Sequence, residues 1–283
     1  MLEKVRLEQF EAVPHLAGTQ LMCTHGGAIE FSTTKPNVIV GENGAGKSAL
    51  LMTLAIRFLA WFTGYSAFDS KYTSLNRDAI EWWGRPRGWG TDWQFMPGLQ
   101  CETDNAPALY YRPGHIPGNE HSVTTAMMCG YFDLARQYAK LTDNKSSGQA
   151  CLATMDRVIR AVAGEELPTE YAHVNWRFGR EVPPPNERRG QFVGDWEWQA
   201  HVLKSLMVPA PGCRPLILMD EPEQSLDARA EARLWKSIEA ADLGKVQIIV
   251  ASHSVYPILH PERFHLIECE AGYAQAVRQQ YRV

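Results

Sequence analysis

With 283 residues, 45% of them hydrophobic and 21% charged, the chain can form one large domain or two small ones around a full core. A net charge of −4 argues against a protein coated in nucleic acid, although it leaves room for a local basic groove. The N-terminal MLEKVRLEQF lacks the apolar stretch of a signal peptide, and the longest apolar run, Ala49 to Phe62, carries Arg57 and is shorter than the roughly 20 residues of a membrane span. Six cysteines without a CxxC pair support neither a disulfide framework nor a zinc site. The expectation is a cytoplasmic protein, with no membrane partner and with reduced, mostly buried thiols.

The first predicted elements are short strands at Val5 to Phe10 and Ala28 to Phe31, an antiparallel start with a turn at His25-Gly26-Gly27. Val38-Ile39-Val40 reads as a buried strand, and Ser48 to Phe62 as an interior helix, apolar nearly all round and stopped by Gly64. Between them, GENGAGKS (Gly41 to Ser48) fits the phosphate-loop pattern G-x-x-x-x-G-K-[S/T] in the strand–turn–helix context that pattern requires. Glycines at 41, 44 and 46 let the backbone curl with its N–H groups inward, and the helix N-terminus adds its dipole. A nucleotide is expected against Asn43, Gly44, Ala45, Gly46, Lys47, Ser48 and Ala49. Lys47 would reach the β- and γ-phosphates, and Ser48 would ligate Mg²⁺.

From Tyr65 to about Pro117 turns rich in Gly, Pro and Trp dominate, with Gln94 to Cys101 and Ala108 to Arg112 as the best strands. Trp82, Trp83, Trp89 and Trp93 interleave with Arg77, Arg85 and Arg87. That pattern suits either base stacking or a small satellite core with snorkelling arginines. Glu120 to Leu141 reads as an amphipathic helix, and TDNKSSGQ (Thr142 to Gln149) opens another from Ala150 to Val162. Gly164 to Gly194, with Pro183-Pro184-Pro185, reads as an irregular, exposed insertion, and Trp196 to Met207 as helix.

Leu216-Ile217-Leu218-Met219-Asp220-Glu221 then reads as a buried central strand delivering two carboxylates at its C-terminal end. Asp220 would hold Mg²⁺, and Glu221 would face the attacking water. A helix from Asp227 to Ala241, with Leu234, Trp235 and Ile238 inward, leads to a strand at Val246 to Val250 and to His253. His253 lies 32 positions after Glu221, one strand–helix–strand unit, so parallel neighbours would bring the two to one sheet edge, beside a γ-phosphate.

In order, GENGAGKS, LILMDEP, SLD at Ser225 to Asp227 and SHS around His253 resemble the ATP-binding-cassette class of P-loop ATPases. The resemblance implies an α/β fold with a mixed central sheet, an antiparallel N-terminal β subdomain and a helical lobe. The lobes would be 1-64 with 209-283 for the nucleotide-binding core and 65-208 for the helical, inserted part. It makes Glu221 the catalytic glutamate, His253 the switch histidine and Asp227 the aspartate of the loop at the dimer interface. KSSGQ resembles the signature LSGGQ, which implies that Ser146, Ser147, Gly148 and Gln149 grip ATP held by a second subunit. Lys145 and Ser147 depart from that signature, and it lies about 70 residues before Asp220, a gap the 164-194 insertion would explain. Gln94 and Gln100 are the weak options for the glutamine joining the lobes.

DEPE rather than DEPT at Asp220 to Glu223, and the Trp-rich elaboration, resemble the soluble SMC, RecF and OLD-like branch. The implied function is an ATPase switch that dimerises around two ATP molecules with Mg²⁺, in DNA repair or anti-phage defence, beside a separately encoded effector or with DNA. A transporter's nucleotide-binding subunit and an ATP-gated scaffold with little hydrolysis are the alternatives.

Overall fold

The computed structural model describes residues 1–8, 14–63, 73–74, 98–113, 155–156, 158–165, 167–169, 171, 175–176, 180–181 and 208–281. It is a mixed α/β structure built on two main sheets. A three-stranded antiparallel sheet places β1 (Leu2–Leu7) between β2 (Ala28–Glu30) and β6 (Leu99–Thr103). The larger, seven-stranded sheet runs β12 (His265–Glu268), β3 (Asn37–Val40), β11 (Gln247–Ser252), β10 (Leu216–Asp220), β7 (Ala108–Tyr111), β4 (Trp61–Thr63) and β5 (Thr73–Ser74). All neighbours in it are parallel except the edge pair β4–β5. A separate antiparallel pair joins β8 (Asn175–Trp176) to β9 (Arg180–Glu181).

The unbroken apolar runs of the central strands follow from burial on both faces. Along β10, Leu216 and Leu218 join one core while Ile217 and Met219 join the other; β7 and β11 divide in the same way. The first core packs against α3 (Lys47–Arg57) through Leu50, Leu51 and Leu54. The second packs against the helix Ala228–Glu239 through Leu234, Trp235 and Ile238, the three residues expected inward. Gln247, 3% exposed at the start of β11, accepts from the Leu2 N–H at 2.6 Å and donates to the Leu2 carbonyl at 2.7 Å. That pair of bonds ties the antiparallel sheet to the parallel one.

Several boundaries differ from expectation. The first strand covers Leu2–Leu7, and two short helices, α1 (Pro14–Ala17) and α2 (Gln20–Thr24), precede the turn at Gly26 and Gly27. Helix α3 ends at Arg57, well before Gly64: Leu59 turns the chain at φ 42° and residues 61–63 form strand β4. The Asp227 side chain caps its helix at both the Arg229 and Ala230 amides, 2.9 Å each. Strands β6 and β7 fall within the 65-208 stretch yet belong to the two main sheets. The 164-194 insertion is not wholly exposed, since Tyr171 is buried and its hydroxyl donates to the Asn105 carbonyl. Of the described cysteines only Cys269 is buried; Cys23 is exposed, and Cys101 and Cys213 are intermediate. The helices expected at 120–141 and 196–207 and the Trp/Arg segment 77–93 lie outside the described residues, as does Gln94. Gln100 lies on β6 and donates to Glu8 at 2.6 Å. Among the described residues no helix is long and apolar enough to cross a membrane.

Candidate functional site

The C-terminal ends of β3, β11 and β10 lie side by side, in register at Val40 with Ser252 and at Ala251 with Asp220. The loop 41–46 leaves β3 there and enters α3. Two of its glycines are required by close approach. A Cβ at Gly41 would lie 2.5 Å from Cys269 Cβ, and one at Gly46, where φ is 105°, would lie 2.4 Å from Thr19 Cβ. Helix α2 supports the loop from outside: the Leu21 N–H donates to the Ala45 carbonyl at 3.0 Å, and Thr19 caps α2.

Lys47 is 4% exposed, and its ammonium folds back over the loop to the carbonyls of Gly41 (2.8 Å) and Glu42 (2.7 Å). Burial lowers its pKa, against the opposing pull of Cys269, Glu221, Asp220 and Glu223. Its neighbour Ser48 donates to Asp220 Oδ1 at 2.8 Å. Asp220 is fully buried; Oδ2 accepts from the Tyr110 hydroxyl at 2.9 Å and lies 3.7 Å from Arg112 Nε. Burial raises the Asp220 pKa, and Arg112, Ser48 and Tyr110 hold it down. The sheet pleat explains the meeting: residues 216, 218 and 220 alternate onto the face that carries α3.

Glu221 leaves the strand at φ 48°, a region a side-chain-bearing residue rarely enters, and its N–H donates to the Ala251 carbonyl at 2.9 Å. That turn places Glu221 Oε1 3.4 Å from His253 Nε2. Burial and then the charge of Lys47 lower the His253 pKa, while Glu221 raises it. Glu223 secures the histidine's backbone: its Oε1 accepts from Ser252 Oγ at 2.7 Å and from the His253 N–H at 2.8 Å.

The structure therefore brings together Lys47, Ser48, Asp220, Glu221 and His253, drawn from three strand ends. Asp227 lies on the surface as a helix cap, and Ser146, Ser147, Gly148 and Gln149 lie outside the described residues. Tyr110, Arg112 and Glu223 are additions that sequence reading passed over. Tyr110 is hidden within an apolar strand run, whereas Glu223, an acid three residues beyond Asp220, stands out in the sequence only as the residue that makes DEPE differ from DEPT. A scan against models of protein families finds none that matches the chain, and a search of curated proteins likewise finds no match.

The donor set suits a nucleoside triphosphate with its cation. The N-terminus of α3 takes anionic oxygens, Lys47 has a buried ammonium on neutral carbonyls, and the Ser48 hydroxyl and Asp220 carboxylate are hard oxygen ligands of the kind Mg²⁺ takes.

Proposed function

We propose that the chain is an ATP-binding and ATP-hydrolysing switch of the ATP-binding-cassette type. The observation that carries this reading is the 2.8 Å bond from Ser48, first turn of the loop helix, to Asp220, end of a buried strand 172 residues later. A hydroxyl–carboxylate pair at the mouth of a glycine loop is the arrangement a phosphate-bound cation needs. Ser48 and Asp220 would hold Mg²⁺, which when bound neutralises charge on the β- and γ-phosphate oxygens.

The chain's own residues supply the rest. Lys47 exchanges its two loop carbonyls for phosphate oxygens. Glu221 orients a water and accepts its proton as the water oxygen bonds to the γ-phosphorus and the bond to ADP breaks. His253, 3.4 Å from Glu221, limits where that carboxylate can point and would contact a γ-phosphate oxygen. In this reading Ser146 to Gln149 and Asp227 of one subunit complete the site of another, so two subunits close over two ATP molecules and part after hydrolysis. The output is a nucleic-acid or effector-protein transaction in DNA repair or anti-phage defence.

Glu221→Gln tests it. The variant should bind ATP with Mg²⁺, hydrolyse it at least about 100-fold more slowly, as expected on losing a general base, and elute as a dimer in size-exclusion chromatography with ATP. A Glu221→Gln protein that stays monomeric overturns the composite site, and one with wild-type turnover overturns the role of Glu221.

A further inference from the structure

Tyr110 is fully buried in the middle of β7, a position that phenylalanine fills equally well by volume. A buried hydroxyl without a partner is costly, so its presence there is explained by where it points. Tyr110 shares the pleat face of Ala108, Leu216 and Leu218, against α3, and its hydroxyl reaches one step further to Asp220 Oδ2 at 2.9 Å. The two carboxylate oxygens thus have different occupants: Ser48 takes Oδ1 and Tyr110 takes Oδ2. Arg112, which follows β7, lies 3.7 Å from the same Oδ2, and its charge acts on the Tyr110 hydroxyl as well. A carboxylate gripped at both oxygens cannot rotate, so the lone pairs of Oδ1 left beside Ser48 face one direction.

We propose that Tyr110, braced by Arg112, is a positioning residue that fixes the Asp220 carboxylate for the cation accompanying the bound nucleotide. The inference rests on the nucleotide-site reading above. Tyr110 does not itself touch nucleotide or cation: it acts through Asp220, as outer partners of metal ligands do, whose loss lowers metal affinity by about 10- to 100-fold.

The test is Tyr110→Phe in the full-length chain, with two measurements. Affinity for a fluorescent ATP analogue is taken in EDTA and across a Mg²⁺ titration, and bound Mn²⁺ is counted by electron paramagnetic resonance at saturating ATP. The expected result is unchanged affinity in EDTA, with a Mg²⁺ midpoint raised about 10- to 100-fold and correspondingly weaker Mn²⁺ binding. Equal losses with and without metal overturn the inference, because they mean that the hydroxyl supports the loop and not the carboxylate's aim. Wild type that binds with Mg²⁺ beside a Tyr110→Phe protein of the same midpoint also overturns it, and leaves the nucleotide reading intact. Wild type that takes no nucleotide overturns both. Should Tyr110→Phe not fold, Arg112→Met, at a side chain 27% exposed, carries the same expectation of a raised Mg²⁺ midpoint, and an unchanged midpoint there overturns the proposal.

Discussion

Replacing Lys47 by methionine keeps the aliphatic stem and removes the ammonium, which separates what this side chain does for the fold from what it does for nucleotide. In the structure the ammonium donates to two neutral carbonyls at 2.8 and 2.7 Å. Hydrogen bonds to a charged group are worth about 1.5–3 kcal/mol each, and the effective cost of taking such an ion out of water is several kcal/mol, so the terms nearly cancel. The pKa shift gives the residual sign: a lysine held below its usual value is disfavoured in its charged form by the fold, so at neutral pH charged Lys47 works against the native state. Lys47→Met should therefore melt within about 3 °C of wild type when nucleotide is absent. With ATP and Mg²⁺ at 100 times the dissociation constant, wild type gains about 2.7 kcal/mol by mass action. An unfolding entropy of about 2.1 cal/mol/K per residue, over the 283 residues of the chain, converts that to a rise of about 4–5 °C. Lys47→Met should show no rise. Thermal unfolding followed by tryptophan fluorescence, with and without ATP and Mg²⁺, gives both numbers. A variant that keeps the nucleotide shift, or that already melts more than about 5 °C lower without it, refutes the reasoning.

Two further outcomes are expected. His15, which pairs with Thr53 Oγ1 at 3.1 Å, has its pKa lowered from 6.5 by burial, so below pH 6.5 the unfolded chain binds more protons than the native one and stability falls as pH falls through the lowered value. His15→Gln should flatten that slope in melting curves from pH 7.5 to 5.5, leaving the part due to His253; an unchanged slope rejects the assignment. Gly46→Ala, with its new Cβ 2.4 Å from Thr19 Cβ, should lose about 2–4 kcal/mol in urea unfolding, and Thr19→Gly in the same chain should restore part of it. Additive losses across that double-mutant cycle would mean that the two positions do not meet.

The legible parts of this chain were those whose signal is local. GENGAGKS carries its turn chemistry in eight consecutive residues, and Leu216–Asp220 announces a doubly buried strand by its unbroken apolar run, so the meeting of Ser48 with Asp220 could be anticipated. The helix Ala228–Glu239 was legible because Leu234, Trp235 and Ile238 recur at helical spacing. Helices α1 and α2, four and five residues long, are too short for any period to register. The end of α3 was missed because apolar residues continue through Leu59, Ala60 and Phe62, and only the left-handed turn at Leu59 separates helix from strand. Tyr110 was invisible for a different reason: its partner lies 110 positions away, and nothing in the run Ala108–Tyr111 distinguishes a tyrosine chosen for its ring from one chosen for its hydroxyl.

The two carboxylates at the end of β10 are positioned by opposite means. Asp220 continues the strand's pleat and is held at both oxygens by hydroxyls from α3 and β7. Glu221 breaks the pleat at φ 48°, a conformation that costs a non-glycine residue about 1–3 kcal/mol and persists only where the surroundings impose it. Those surroundings are visible: the Glu221 amide is tied to Ala251, and Glu223, two residues on, grips Ser252 and the His253 amide. A glycine at 221 would remove the strain, but with it the carboxylate that faces His253. Strain kept at Glu221, beside an Asp220 that continues the pleat and accepts a hydroxyl at each oxygen, fits the proposed division of labour in which one acid holds a cation and the other is aimed at water.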